Sequence, residues 1–429
     1  MKKFFAIILT LCLMACALCI TAFAAEAGEG VVLRVSAEKK DGSIVVIEDY
    51  KVFEDGWNAA MELAVNSKEM NKNDYARVVV DIYADWNAVN GEFTKEFFNG
   101  KGFNWDAIYI QPNVRMTLNL NGNTINRGLT EWEYNGEVMY IDKRADVIIN
   151  EGTITGGFSC NGAGGIHIND GANVVLNNVN IVGNSTDDDD GAGIAVYGGA
   201  TLTMNNGTIV GNKAYGSSLG GGIYVHRANA TLDGVLIHDN ELITTAVEGL
   251  GNWATGAGCC VSQGALTLNN CTVKDNRSAR YGGGLALMYE GDLVVNHCTV
   301  TGNSAGLEGS AIAIIEEGDC VVDGSDVTGN ESASSNSVFY VQWGTLQFSN
   351  SQYDPQITCW ADGEVIYADG AKARLTNSRF GSIFGEGSLT MIISLIALIA
   401  SIAAIIVNVT PKKDTAAAAA AVDSGEDDE

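Results

Sequence analysis

One phrase recurs nine times along this chain of 429 residues: an apolar strand, a second apolar strand ending in Asn or Asp, then Ile or Val and a polar turn. The apolar residue that anchors each first strand returns after 26 to 36 residues, most often after 27. These anchors are Met139, Ile166, Ile194, Ile223, Cys259, Leu285, Ile312, Phe339 and Ile366. A period this regular predicts a solenoid of stacked coils.

Apolar and polar residues alternate within each phrase. Ile194 and Val196, and then Leu202 and Met204, have the period of two that is typical of β-strands. Several short strands per period, with little helical pattern between them, indicate one turn of a coil. The repeat therefore predicts an all-β, single-stranded parallel β-helix of about 9 to 10 coils over residues 113–380.

Stacking places equivalent residues above one another at about 4.8 Å. One predicted column contains Asn121, Asn150, Asn177, Asn205, Asp233, Asn269, Asn296, Asp323, Ser349 and Thr376. A second contains Asn184, Asn212, Asn240, Asn276, Asn303 and Asn330. Because stacked amides hydrogen-bond along a column and Asn tolerates the left-handed conformation of bends, we interpret both columns as structural. A glycine column that predicts a tight turn into each first strand contains Gly165, Gly193, Gly222, Gly258 and Gly284.

Two phrases carry a family resemblance. GGGIYVHRANATLDGVLIHDN (residues 220–240) and GGGLALMYEGDLVVNHCTVTGN (residues 282–303) resemble the repeats of the pectin-lyase-like superfamily and of polymorphic outer-membrane-type surface proteins. The likeness covers residues 114–380 and implies a right-handed parallel β-helix. It implies either a surface protein or a polysaccharide lyase or hydrolase.

The two ends of the chain predict export and anchoring. Residues 1–24 carry two lysines, an apolar stretch and Ala-Phe-Ala, the order of a secretory signal peptide; a cut before Cys16, as in a lipoprotein, is the alternative. After a linker at 381–388, residues 389–409 are uncharged and long enough to form one transmembrane helix. Lysines follow that span directly, so we expect an acidic cytoplasmic tail at 410–429 and an extracellular body.

Residues 25–112 are expected to form an N-terminal α/β cap over the open end of the apolar bore. Asp55 is predicted to N-cap a helix from about Trp57 to Asn66. Its apolar stripe, which would plug the bore, comprises Trp57, Met61, Ala64 and Val65. Strands around residues 78–80 and 108–110 then lead into the first coil.

Charge and cysteine content limit the partners. The net charge of −27 disfavours nucleic acid and anionic polymers as ligands. Seven of the ten cysteines remain after the signal peptide, an odd number that argues against a complete disulfide framework. Cys271 and Cys298 occupy equivalent places in consecutive coils, where they are either bridged or small buried residues.

Length variation is confined to one turn of the coil. Each anchor precedes the second-column Asn by 17 or 18 residues, whereas 9 to 19 residues separate that Asn from the next anchor. Insertions on one edge often form a binding face. Aromatic and polar residues near this edge are the candidate site for a glycan or for a ligand on a host or neighbouring surface: Tyr197, Tyr215, Tyr224, His226, Trp253 and Tyr281. The alternative is that they are ordinary exposed aromatics shielding the sheet.

We expect no cofactor, with calcium as the open alternative. The run Asp187–Asp190 and two stacked acidic pairs, Glu290 with Glu317 and Asp292 with Asp319, are the calcium candidates. A lyase would need calcium-binding aspartates and a base, for which Arg227 is the nearest residue; a hydrolase would need paired carboxylates. The sequence therefore favours a non-catalytic adhesion or binding protein, with a polysaccharide-active enzyme as the alternative, and gives no oligomeric state.

Overall fold

The computed structural model describes residues 28–88, 103–104, 107–244, 254–359, 362–368 and 370–373. The predicted signal peptide, linker, transmembrane helix and tail lie outside the described residues, as do Trp253 and Thr376. In the described part of the chain, no helix is both long and apolar enough to cross a membrane.

The described strands form a right-handed parallel β-solenoid of about eight turns, with three sheets along its sides. Sheet 1 contains Phe103–Asn104, Ala107–Ile110, Met139–Ile141, Ile166–Ile168, Ile194–Tyr197, Ile223–His226, Cys259–Ser262, Leu285–Met288, Ile312–Ile315, Phe339–Val341 and Ile357–Cys359. Sheet 3 contains Phe158–Ser159, Ser185–Asp187, Lys213–Tyr215, Glu241–Ile243, Arg277–Ser278, Ser304–Ala305 and Glu331–Ser332.

Sheet 2 is the longest sheet, because most turns give it strand segments on both sides of a bend. It contains Leu33–Lys39, Ile44–Tyr50, Tyr75–Ile82, Trp86–Asn87, Arg115–Asn119, Thr124–Asn126, Asp146–Thr155, Asn173–Val182, Thr201–Val210, Asn229–Asp233, Leu236–His238, Ala265–Asn269, Thr272–Lys274, Gly291–Asn296, Thr299–Thr301, Gly318–Asp323, Asp326–Val327, Gly344–Ser349, Gln352–Tyr353, Gly363–Tyr367 and Lys372–Ala373.

The predicted anchors stack in register from Met139 to Phe339. The prediction that Ile366 is the ninth anchor was wrong. Phe339 pairs with Ile357, whereas Ile366 pairs with Gln347 in sheet 2. The last turn is short because the chain passes from the sheet 2 strand ending at Tyr353 to Ile357 without a sheet 3 strand. Ile357 therefore holds the place in sheet 1 that was assigned to Ile366, and the solenoid has about eight turns where about 9 to 10 coils were predicted.

Alternation of apolar residues fills the bore. In the strand Thr201–Val210, Leu202, Met204 and Ile209 are at most 1 % exposed, and the residues between them face outward. Burial of each such side chain contributes about 1.5–3 kcal/mol. The repeated pattern thus creates one continuous core along the solenoid.

The N-terminal segment extends sheet 2 beyond the first turn. Leu33–Lys39 pairs antiparallel with both Ile44–Tyr50 and Tyr75–Ile82, and Tyr75–Ile82 pairs parallel with Arg115–Asn119. A helix, Phe53–Val65, packs on these strands.

That helix differs from the prediction at both ends. It begins at Phe53, so Asp55 lies in its first turn and does not cap it; Val52 holds the N-cap position and makes no side-chain capping bond. Its buried stripe is Phe53, Gly56, Trp57, Ala60 and Met61. Ala64 is only partly buried and Val65 is 45 % exposed, because the chain turns away into the short helix Ser67–Lys72, which Asn66 caps.

The second Asn column forms a buried ladder, which confirms its structural interpretation. In Asn212, the backbone N–H and the side-chain amide both donate to Oδ1 of Asn240, at 3.1 and 2.9 Å. The same amide also donates to the carbonyl oxygen of Ile181 at 3.1 Å. The pattern repeats from Asn184 to Asn330, so each side chain ties three successive turns together.

The first column is a half-buried ladder with one corrected member. Asn150 donates to Oδ1 of Asn119 at 2.8 Å, so Asn119 holds the place that was assigned to Asn121. The bend of the first turn is two residues longer than the next, and Asn121 lies within it at φ 53° and donates to the carbonyl oxygen of Ile82. From Asn150 to Ser349 the predicted register is confirmed.

Contacts between neighbouring turns explain which residue types occupy two further columns. A Cβ on Gly222 would lie 2.5 Å from the carbonyl oxygen of Gly258, so this column needs glycine because adjacent turns approach closely there. Cys271 and Cys298 are free thiols, each buried, and the sulfur of Cys298 accepts the backbone N–H of Cys271 at 3.3 Å. Ser325 continues the column and accepts the N–H of Cys298 in the same way.

Candidate functional site

A tightly anchored loop lies in the first turn, on the edge of the solenoid where the turns vary in length; we call this edge the variable edge. Arg127 is 3 % exposed and donates to the carbonyl oxygens of Asn135, at 2.7 Å, and of Glu137. Backbone bonds from Glu133 to Phe158 and from Phe158 to Gly136 join the loop to the next turn. The loop therefore has a defined conformation before any ligand binds.

This loop presents two exposed rings. Trp132 is 55 % exposed and Tyr134 is 65 % exposed. They flank Glu133, which forms a parallel bridge to Ser159, so the loop continues the register of sheet 3. Trp132 precedes the bridge residue just as Phe158 precedes Ser159, so these two rings hold the same register position. Trp132 and Tyr134 share a face because alternate residues of a strand point to the same side.

Tyr215 joins the same face two turns further on. Its ring lies 5.8 Å from that of Phe158, centroid to centroid, across the turn that contains Asp187. Both rings are half-buried. We call Trp132, Tyr134, Phe158 and Tyr215 the sheet 3 aromatic patch.

Sequence reasoning identified Tyr215 but missed the other three residues of the patch. The segment Glu131-Trp132-Glu133-Tyr134 lies in the turn before the first anchor, where no earlier repeat exists for alignment. The available signal was its position, since it fills the place of the variable turn two periods before Asp187.

The remaining described candidates lie on the outer face of sheet 1. Tyr197 and His226 are paired in register, and Tyr224 stacks on His226 with ring centroids 5.9 Å apart. Tyr281 stacks on Tyr340 at 5.6 Å and packs against the same outer apolar cluster, and Trp253 lies outside the described residues.

These sheet 1 rings are less exposed to solvent than the rings of an open binding groove would be. Tyr224 is only 5 % exposed, because the preceding turn folds back over it; a Cβ on Gly220 would lie 2.9 Å from the Cβ of Tyr224. Leu219, Thr255, Tyr281 and Glu308 form a row of parallel bridges that continues this cover. The five described candidates therefore do not form one surface, because Tyr215 lies on sheet 3.

A second aromatic row runs along sheet 1 toward the N terminus. Ring centroids are 5.9 Å apart between Tyr109 and Tyr140, 4.6 Å between Tyr140 and His167, and 5.0 Å between His167 and Tyr197. The hydroxyl of Tyr109 donates to Asp142 at 2.6 Å. Burial lowers the pKa of His167 to about 4, so this imidazole is neutral at pH 7.

The aspartate run holds the variable edge together. Asp188 accepts the backbone N–H of Ser217 at 3.1 Å, and Asp190 accepts that of Leu219 at 2.7 Å, both in the next turn. Asp189 accepts the N–H of Gly162 in the preceding turn at 2.7 Å. Burial raises the pKa of Asp190 to about 7.

The calcium candidates gain no support from the geometry. Asp292 and Asp319 are paired in register as expected, and both are exposed, as are Glu290 and Glu317. Within the ranges that the structure describes, no group of three or more His, Cys, Asp or Glu side chains is arranged to hold a metal ion.

Comparison with known families agrees with this architecture. Residues 205–353 match the family model described as a right handed beta helix region. The chain is a right-handed parallel β-helix repeat protein, consistent with the pectin-lyase-like resemblance. No curated protein and no solved structure matches it.

Proposed function

We propose that this protein is an exported β-helix, anchored in the cell membrane by one C-terminal span, that binds a glycan or a surface partner without catalysis. The observation that carries the proposal is the sheet 3 aromatic patch, in which Trp132 and Tyr134 are more than half exposed on an anchored loop. Ring faces cover the apolar C–H groups of sugars, and neighbouring polar groups take their hydroxyls.

The anchoring of the loop supports the proposal that the sheet 3 aromatic patch binds a ligand. Binding costs less when the contacting side chains are already ordered. The buried Arg127 and the backbone bonds to Phe158 hold the loop in place, so the backbone that carries the two exposed rings is ordered.

The proposed topology rests on the two ends of the sequence. Residues 1–24 act as the signal peptide and residues 389–409 as the span, with the tail inside the cell. Residues 25–112 act as the cap; the extension of sheet 2 and the helix that buries Trp57 and Met61 support this role. Protease treatment of intact cells should remove the solenoid and spare an epitope on the tail.

Retention on a polysaccharide panel tests the binding function. Purified full-length protein is passed over immobilised polysaccharides, and both retention and released products are measured. We expect retention without unsaturated or reducing ends. Trp132→Ala with Tyr134→Ala should abolish retention, whereas Tyr289→Ala, which removes a 41 % exposed ring elsewhere, should leave it unchanged. Equal retention of all variants would show that the sheet 3 aromatic patch is not the binding site.

A polysaccharide-active enzyme is the second candidate. The observation that favours it is two separate buried carboxyl groups, Glu137 and Asp190, whose pKa burial raises to about 7; a general acid needs a pKa raised in this way. Release of products that is lost in Glu137→Gln or Asp190→Asn would favour the enzyme and defeat the first proposal.

A further inference from the structure

The sheet 3 aromatic patch lies among acidic side chains. Glu131 and Glu133 alternate with Trp132 and Tyr134 in the anchored loop, and all four are exposed. Asp187 is paired in register with Tyr215 and lies between that ring and the loop. Burial, and after it the neighbouring Asp187 carboxylate, raises the pKa of the Cys160 thiol.

Three cations on this side of the described structure have acidic partners. Arg127 is buried beneath the loop, and its Nη2 lies 3.4 Å from the carboxylate of Glu133. Lys213 lies 4.0 Å from Glu241, which also pairs with Arg277 at 3.5 Å. The patch therefore combines flat ring faces with a local excess of negative charge.

We propose that the ligand of the sheet 3 aromatic patch is a cationic polysaccharide built of amino sugars with free ammonium groups. Ring faces cover the C–H face of each sugar and also attract an ammonium group. The carboxylates of Glu131 and Asp187 supply the complementary charge, whereas that of Glu133 pairs with Arg127. The net charge of −27 favours the same ligand, because it repels polyanions.

The repeat of the fold favours a polysaccharide over a cationic peptide. Neighbouring turns are about 4.8 Å apart, close to the length of one sugar unit in an extended chain. The aromatic residues are distributed along this direction, with Trp132 and Tyr134 in one turn, Phe158 in the next and Tyr215 two turns beyond Phe158. An extended polysaccharide running along the stack would meet rings and carboxylates at successive units.

The inference rests on the proposed binding function, and matched probes separate the two. The full-length protein is titrated calorimetrically with a glucosamine hexamer, with the N-acetylglucosamine hexamer of the same linkage, with an oligogalacturonate and with hexalysine. We expect the glucosamine hexamer to bind most tightly, with an affinity that falls as salt is raised. Trp132→Ala should weaken this binding by about tenfold or more.

Charge variants test the specificity. Glu131→Gln with Asp187→Asn should weaken binding of the glucosamine hexamer about fivefold and leave the acetylated hexamer unchanged. Asp292→Asn with Asp319→Asn makes the same change in net charge on exposed residues of sheet 2 and should alter neither. The amide variants keep the size of the side chains, so the loop retains its shape.

Each other outcome has a definite meaning. If the acetylated hexamer binds as tightly as the charged one and Trp132→Ala weakens both, the binding function stands and the amino-sugar inference is overturned. Tighter binding of hexalysine, or of the oligogalacturonate, overturns it in favour of a peptide or an acidic glycan. If none of the four probes binds, the amino-sugar inference is overturned, and the panel result alone then decides the binding function.

Discussion

Replacement of Asn240 by alanine should severely destabilise the solenoid. The side-chain oxygen of Asn240 accepts the backbone N–H and the amide of Asn212, and its own amide donates to the carbonyl oxygen of Ile209 at 2.9 Å. All of these groups are buried, so Asn240→Ala removes one hydrogen bond from each of three of them, although the Asn212 amide keeps its bond to the carbonyl oxygen of Ile181. At about 1–3 kcal/mol for each buried unsatisfied group, with some relaxation, we expect a loss of about 3–6 kcal/mol.

Urea denaturation of the full-length protein, followed by circular dichroism, measures this loss. Asn205→Ala is the matched control, because Asn205 belongs to the half-buried ladder and donates to Oδ1 of Asn177 at 2.8 Å. Water can replace that bond, so the control should lose about 1 kcal/mol or less. A similar loss in both variants, or a loss below about 1 kcal/mol for Asn240→Ala, would refute the view that the buried ladder ties the turns together.

Three further predictions use the same unfolding measurement. Gly222→Ala should cost about 1–3 kcal/mol through overpacking, because the new Cβ would meet the carbonyl oxygen of Gly258; Gly211→Ala, at φ 65° with open space around it, should cost only about 1 kcal/mol, and the reverse order would contradict the close-approach argument. Cys298→Ser should cost less than about 1.5 kcal/mol, since Ser325 already fills that role one turn later, and a much larger loss would reject the equivalence of the two residues. The pKa of Asp190 is raised by folding from 3.8 to about 7, so its contribution is fully present below pH 3.8 and is lost as pH rises toward 7; the stability of Asp190→Asn relative to the native protein should therefore increase over this range, and a flat difference would show that the carboxyl is not desolvated.

The repeat determined most of the fold because one period encodes both local and long-range structure. Alternation places Leu202 and Met204 in the bore, and the same alternation one period later places their partners, so strand and register follow together. The errors lie where the period ends. Ile366 kept the spacing of 27 although the last turn is shortened, and Asn121 was chosen over Asn119 because the first bend is longer than the others.

The candidate site was harder to predict because accessibility depends on how the variable turns fold. Tyr224 faces outward as its strand position requires, yet the turn at Gly220 covers it. The run Asp187–Asp190 was a calcium candidate in the sequence, but three of its carboxylates accept backbone N–H groups of neighbouring turns. Trp132 and Tyr134 are exposed in the first turn, which lies outside the aligned repeats, so the repeat pattern did not identify them.

A crystal structure of the full-length protein with a bound oligosaccharide from the retained polysaccharide would test the binding site most directly. We expect sugar rings against Trp132 and Tyr134 on the outer face of sheet 3, with the chain running along the stack of turns. Sugar bound instead on the outer face of sheet 1, between Asp142 and Tyr224, would contradict the account and favour the enzyme.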